Sequence, residues 1–218
     1  MIKLYGIGLS FNVNKVRYCL NYLGLKYEWE QTNPMQGENQ TEEYRKISPT
    51  GKIPAIQADG ISIFESNAIN KYLASENKSD IYPQDTKRRA IVDAWMDYGS
   101  IHVANAVGRV LFNRVMAPMI NAPVDESSIN TGLEWLGKYL PICDKQLGKN
   151  KYIAGNTFTL ADINLLAILD PSEVAQIDLS PYSNIVKWRD NLKTQDFYQK
   201  CYKDYTQFLQ EMMSAKNA

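Results

Sequence analysis

The spacing of apolar positions changes several times in the first eighty residues. Ile2 to Tyr5 reads as a short strand. Val13, Val16, Leu20 and Leu23 then recur at helical intervals and stop at Gly24, where a helix C-terminus accepts glycine. Lys26 to Glu30 (KYEWE) alternates as a strand, and a polar stretch rich in turn formers follows from Asn33 to Asn39. Glu42 to Ile47 predicts a short helix. Ile53-Pro54-Ala55-Ile56 and Ile61-Ser62-Ile63 read as two strands joined by the turn Ala58-Asp59-Gly60. Ile69, Tyr72 and Leu73 mark one more helix. The predicted order is β-α-β-(α)-β-β-α.

From Thr86 onward the period is helical throughout. Ile91, Trp95, Tyr98, His102 and Val103 share a face of a helix running to about Met119, and Ile129, Leu133, Leu136, Leu140 and Leu147 mark the next. Helical segments around Ile163 to Ile168, Ile185 to Leu192 and Phe197 to Met212 complete this half. Residues 78–85, polar and broken by Pro83, predict a linker, so two domains are expected: 1–78 mixed α+β, and 86–218 all-helical.

Composition narrows the class. The 218 residues leave ample length for a core, and 24 basic against 24 acidic residues give zero formal charge. No sequence-level case for a nucleic-acid or anionic-membrane partner follows. Cys19, Cys143 and Cys201 are far apart without metal-ligand spacing, and with one histidine a Cys/His zinc site is not expected. Met1 runs straight into a strand pattern without a basic and then apolar leader, and the apolar run Leu165 to Leu169 is too short to span a bilayer. The expectation is a cytoplasmic protein with free thiols.

Four places carry candidate chemistry. Ser10 stands where a strand pattern gives way to a helix; it reads as a cap, or as a hydroxyl held at a helix N-terminus for use. Pro54 sits within a strand pattern, which suits an edge strand or a cis Ile53–Pro54 bond that turns the Ile53 backbone outward to an extended ligand. Phe64-Glu65-Ser66-Asn67 opens a helix and could hold a zwitterion, with Ser66 and the helix amides on a carboxylate and Glu65 on an ammonium. A plain helix start with an acid in its first turn is the alternative. Thr159 and Asp162 have capping-box spacing and read as structural, His102 as a packed residue, and Cys19 as a small buried hydrophobe.

The segments KLYGIGLSFNVNKVR, SPTGKIPAI, FESNAINKYL and FTLADI together resemble the cytosolic glutathione S-transferases over essentially the whole chain. GLSFNV is most similar to the serine-type members, the plant phi and theta-like bacterial groups. The resemblance implies a thioredoxin-like domain with a mixed four-stranded sheet, followed by a helical bundle. It implies that Ser10 hydrogen-bonds the glutathione thiolate, that the Ile53 backbone pairs with the cysteinyl part ahead of cis-Pro54, and that Glu65 and Ser66 hold the γ-glutamyl end. Asn39, Gln40 and Lys52 fall at the glycyl end, where phi-type relatives carry a His-Lys pair and a Gln. The aromatic clasp of many relatives is replaced by Thr50. Phe11, Phe112 and Met116 are the candidate walls of a pocket for the second substrate.

The implied activity is conjugation of the glutathione thiolate to small, mostly hydrophobic electrophiles by a homodimer, with glutathione as co-substrate and no permanent cofactor or metal. Alternatives are a non-catalytic glutathione-binding or protein-interaction member, and a glutathione-dependent peroxidase or dehalogenase. A reductase of omega or glutaredoxin type needs a cysteine near position 10, and a tyrosine-type transferase would use Tyr5.

Overall fold

The computed structural model describes residues 1–201, which form two compact units: Met1–Ser79 with the described residues from Asp196 onward, and Asp80–Gln195. The expected helix from Phe197 to Met212 therefore lies mostly outside the described residues.

The first unit is built on β1 (Ile2–Tyr5), β2 (Tyr27–Glu30), β3 (Ala55–Ala58) and β4 (Ile61–Phe64), in the order β2-β1-β3-β4. β1 pairs parallel with β2 and antiparallel with β3, and β3 pairs antiparallel with β4. A parallel pair needs a crossover, which α1 (Phe11–Tyr22) supplies. The β3–β4 hairpin closes on Asp59-Gly60, both at positive φ (52° and 81°), the turn whose twist matches paired strands. Leu4 and Ile56, opposite each other on the central strands, are fully buried. α2 (Glu42–Ile47) is capped by Thr41, whose hydroxyl accepts from Tyr44 N at 3.2 Å. α3 (Ser66–Glu76) follows β4 and packs on α1.

Two expectations change here. β3 begins at Ala55, so Ile53 and Pro54 precede the strand instead of lying within it, although the bond between them is cis, as one of the two readings of Pro54 expects. The helical spacing in α1 predicts one apolar face, yet every residue from Val13 to Leu20 is buried, because α1 also packs on α3 and α10 (Asp196–Gln199). Asn14, Lys15 and Arg17 are buried with the rest.

In the second unit one helical run extends over the expected span, as α4 (Thr86–Tyr98), α5 (Ala104–Leu111) and α6 (Ala117–Met119) joined by π-helical turns at Gly99–Val103 and Phe112–Met116. Its inward stripe is Val92, Met96, Gly99 and Val103. The predicted stripe is offset: Ile91 is exposed, and Trp95, Tyr98 and His102 form a half-buried aromatic row, with Tyr98 and His102 against Tyr139. Apolar residues occur here in adjacent pairs, so period alone does not choose between two neighbouring faces. α7 (Glu126–Leu147), α8 (Leu160–Leu169) and α9 (Ser183–Lys193) complete the unit, with α8 buried on every side. The predicted linker is not free chain: Ile81 and Tyr82 are buried in this unit, Ile81 O accepts from Leu160 N at 2.9 Å, and the Tyr82 hydroxyl donates to Asp93.

Candidate functional site

Strand register gathers the candidate chemistry at one end of the first unit's sheet. Tyr5 pairs with Ala55, and Ala55 with Phe64, so the end of β1, the start of β3 and the end of β4 lie side by side. The Ser10 loop, Ile53–Pro54 and Glu65–Ser66 are the segments that leave or enter there.

Ser10 caps α1. Its φ of −84° and ψ of 115° are extended, and its Oγ accepts from Val13 N at 3.4 Å. Accepting that bond leaves the hydroxyl proton free to be donated. The preceding loop is held from several directions. Gly6 N donates to Glu30 O at 3.1 Å, and Gly6 O accepts from Trp29 Nε1 at 2.8 Å. Gly6 has φ 148°, and a Cβ there would stand 2.5 Å from Val13 Cγ2, so no larger residue lets α1 approach so closely. Asn14 Nδ2 donates to Gly8 O at 2.9 Å, Arg17 donates to Asn14 Oδ1 at 3.1 Å, and the Arg17 guanidinium stacks 4.2 Å from the Trp29 ring.

Glu65 is exposed and adopts φ 69°, ψ 113°, a sparsely populated conformation for a residue with a side chain. It precedes the first turn of α3, where Ser66 is buried and its hydroxyl donates to Asn12 Oδ1 at 3.5 Å. The N-termini of α1 and α3 thus meet through their first-turn side chains. Both present orphan N–H groups and positive dipole ends, suited to anions, with one carboxylate beside them.

Ile53 is half-buried against Tyr5, Tyr44 and Ala55. Among the described residues neither its N–H nor its C=O takes a hydrogen bond, so both are available to an extended partner. The turn before it is braced by the residues expected at the glycyl end. Asn39 Nδ2 donates to Gly51 O at 2.6 Å and Gln40 Nε2 donates to the same oxygen at 3.3 Å. One donor of each amide is thereby used, and each NH2 keeps a second. Gly51 has φ 61°, and a Cβ would crowd Asn39 O and the Gln40 amide at 3.1 Å. Lys52 is exposed; its carbonyl accepts from Tyr44 Oη and Ser48 Oγ, both at 2.9 Å, and its ammonium takes no ion pair among the described residues.

Tyr5 is not available at this corner: its hydroxyl donates to Gln57 Oε1 at 2.6 Å, and its ring packs on Tyr44. Phe11 belongs to the first unit and is half-buried; Phe112, exposed, and Met116, half-buried, belong to the second. His102 packs between Tyr98 and Tyr139, and all three cysteines are buried, with no disulfide among the described residues. Burial pushes the Cys19 thiol up and the Cys143 thiol to about 12, so neither is a thiolate at neutral pH. Asn12, Asn14, Lys15 and Arg17 are parts of the corner that sequence reasoning passes over. The signal available for them is three polar side chains, Asn14, Lys15 and Arg17, within the apolar run of α1, with Asn12 just ahead of it.

In the second unit Asp162, fully buried, accepts from Ile153 N (2.9 Å), Thr159 N (2.9 Å), Thr159 Oγ1 (3.1 Å) and Trp188 Nε1 (3.1 Å), which makes FTLADI the structural cap that its spacing predicts. Among the described residues no cluster of His, Cys, Asp and Glu could hold a metal ion, and no helix is long and apolar enough to cross a membrane.

Two family models match the chain: the N-terminal domain of glutathione S-transferase over residues 1–75 and its C-terminal domain over residues 109–196. Glutathione S-transferase 1 of Zea mays is 30% identical over 203 residues, covering 91% of this chain and 94% of that protein. The probable glutathione S-transferase GSTF2 of Oryza sativa subsp. japonica is 32% identical over 204 residues, with coverage of 91% and 94%. Among solved structures, glutathione transferase F2 from Populus trichocarpa superposes with a TM-score of 0.85 at 28% identity, covering 92% of this chain and 97% of that one. The theta class glutathione S-transferase of Xanthomonas axonopodis pv. citri, solved with glutathione bound, gives 0.84 at 28%, covering 91% and 95%. With both domain models matched in order, and relatives at this identity aligned over nearly their full length, the chain belongs to the glutathione S-transferase family.

Proposed function

We propose that the protein is a serine-type glutathione transferase, joining the thiolate of glutathione to small hydrophobic electrophiles. The observation that carries this reading is the convergence of Ser10, the free backbone groups of Ile53 and the Glu65–Ser66 pair at one end of one sheet. In this reading the tripeptide lies extended across that end. Ser66 and the first amides of α3 take the γ-glutamyl carboxylate and Glu65 its ammonium. Ile53 pairs with the cysteinyl backbone, and Lys52 takes the glycyl carboxylate. Asn39 and Gln40, which brace the Gly51 turn, stand beside it at the glycyl end.

Ser10 supplies the chemistry. A free thiol near pKa 8.5 is only a few per cent thiolate at neutral pH. Lowering that value by about two units takes roughly 2.7 kcal/mol of preference for the anion. A hydroxyl donating to a charged acceptor contributes about 1.5–3 kcal/mol, and a helix N-terminus about 0.3–1 kcal/mol more. Ser10 at the head of α1 is therefore sufficient in magnitude. The thiolate attacks an electrophilic carbon, the C–S bond forms, and with an aryl halide the carbon–halogen bond breaks and halide leaves with the electron pair. The Tyr5–Gln57 bond supports serine over tyrosine as the donor.

Two further elements belong to this reading. Buried cysteines with no disulfide among the described residues suit a reducing, cytosolic compartment. Family membership, with apolar surface at Ile91 and Ile142 of the second unit, supports a homodimer. Retention on immobilised glutathione, followed by an aryl-halide conjugation assay, tests the function. Retention with conjugation is expected; failure of both overturns the proposal.

A further inference from the structure

Lys15 lies in the seam between α1 and α3 and is 2% exposed. Its backbone carbonyl accepts from Asn70 Nδ2 of α3 at 3.1 Å. One turn closer to the helix start, Asn12 accepts from Ser66. Long side chains on a helix point back toward its N-terminus, and this one does: the Lys15 ammonium sits 5.6 Å from the centre of the Phe11 ring, four residues earlier. It is thus directed at the corner where the N-termini of α1 and α3 meet.

Among the described residues Lys15 has no hydrogen-bond acceptor and no ion-pair partner. A lysine this deeply buried normally has one or both, because desolvating a charged group is costly. The charged groups around it are few. Glu65, heading α3, is the one carboxylate that acts on it, and Arg17 on its own helix is engaged with Asn14 and Trp29. From α10 the residues against α1 are Phe197 and Tyr198, which pack on Tyr18.

We propose that Lys15 is the counter-charge of this corner, a buried amine that takes up a proton as the γ-glutamyl carboxylate of glutathione docks at the N-terminus of α3. The inference rests on the functional reading above and adds a residue and a proton to it. Burial pushes the free Lys15 ammonium down to about 7, with Glu65 pulling the other way, so a large share of molecules carry a neutral amine at physiological pH. A docked ligand ammonium engages Glu65, while the carboxylate, held through Ser66 on the α1 side of the seam, presents a new anion to Lys15. An opposite charge arriving nearby raises the proton affinity of the amine, and the proton comes from solvent.

The test is calorimetric titration of the full-length protein with S-methylglutathione, whose blocked sulfur removes the thiol proton from the balance. Heats measured at pH 7 in phosphate and in Tris, buffers of different ionisation enthalpy, give the number of protons taken up. Wild type should take up about half a proton per site, and its affinity should fall by up to about tenfold per pH unit above the midpoint of free Lys15. Lys15→Met should bind more weakly and lose this uptake. Lys15→Arg, charged at every pH used, should bind without it and with a flatter pH dependence. If Lys15→Met does not fold, wild type against Lys15→Arg makes the same comparison. Equal proton uptake in wild type and Lys15→Arg overturns the role of Lys15 while leaving the functional reading intact. No binding of S-methylglutathione to the wild type overturns both.

Discussion

Ser10 has two roles whose consequences separate on measurement. As a cap, its replacement by alanine should cost about 0.5–2 kcal/mol of stability. As thiolate donor, the same change should raise the pKa of bound glutathione and lower turnover at neutral pH, with the loss shrinking as pH rises and hydroxide does the deprotonation. Thiolate absorbance of bound glutathione against pH, in wild type and Ser10→Ala, reads this directly; superimposable curves would leave Ser10 as a cap. Glu65 makes a second residue-scale case. Its φ of 69° stores about 1–3 kcal/mol, so Glu65→Gly should melt higher, despite the roughly 0.5–1 kcal/mol that glycine forfeits in chain entropy. The same variant should lose most of the melting-temperature rise that millimolar glutathione gives wild type, because the ligand ammonium is stranded. Higher intrinsic stability with an undiminished ligand shift would remove Glu65 from the site.

Among the elements, α1 and α8 are both helices buried on every side, and each carries polar side chains for a stated reason. In α1 the polar set holds the Ser10 loop through Asn14 and Gly8. In α8 Asp162 gathers the helix start, Ile153 and Trp188 into one network. Asp162→Ala leaves these donors buried without an acceptor and should cost about 3–5 kcal/mol, read from urea unfolding. The same carboxyl sets a pH dependence. Burial raises it to about 6 from 3.8, against the pull of its four donors. Raised above its unfolded value, it contributes most below pH 3.8, and that contribution is lost as pH climbs to about 6. The difference of about two units corresponds to about 3 kcal/mol. The stability of wild type relative to Asp162→Asn should therefore decline between pH 4 and 6 and stay level above.

At the scale of the whole molecule, the expected assembly is a homodimer, and sedimentation should return twice the 24.9 kDa chain mass. Thr50, exposed and bonded to Ser48 Oγ at 3.3 Å, offers no aromatic clasp, so dimer affinity should be indifferent to Thr50→Ala. A sedimenting mass equal to one chain would overturn the dimer.

Much of this architecture is legible in the order of residues. Period-2 and period-3.6 patterns, the Asp59-Gly60 turn, Thr41 before Glu42 and Thr159 before Asp162 act through neighbours in the chain, so each specifies its element locally. The candidacies of Ser10, Pro54, Glu65 and Ser66 follow in the same way, since each stands at an element's end. Register was decided only in three dimensions. Nothing local brings Tyr5, Ala55 and Phe64 abreast, yet that alignment alone places the Ser10, Ile53 and Glu65 segments at one corner. Tertiary packing also chose which of two adjacent stripes of α4 turned inward, fastened Ile81 and Tyr82 into the second unit, and gave the Tyr5 hydroxyl to Gln57. It closed α3 and α10 over α1, burying Lys15 without a partner. Charge in a sequence says that a lysine is present; the desolvation that changes its chemistry comes from residues more than fifty positions away.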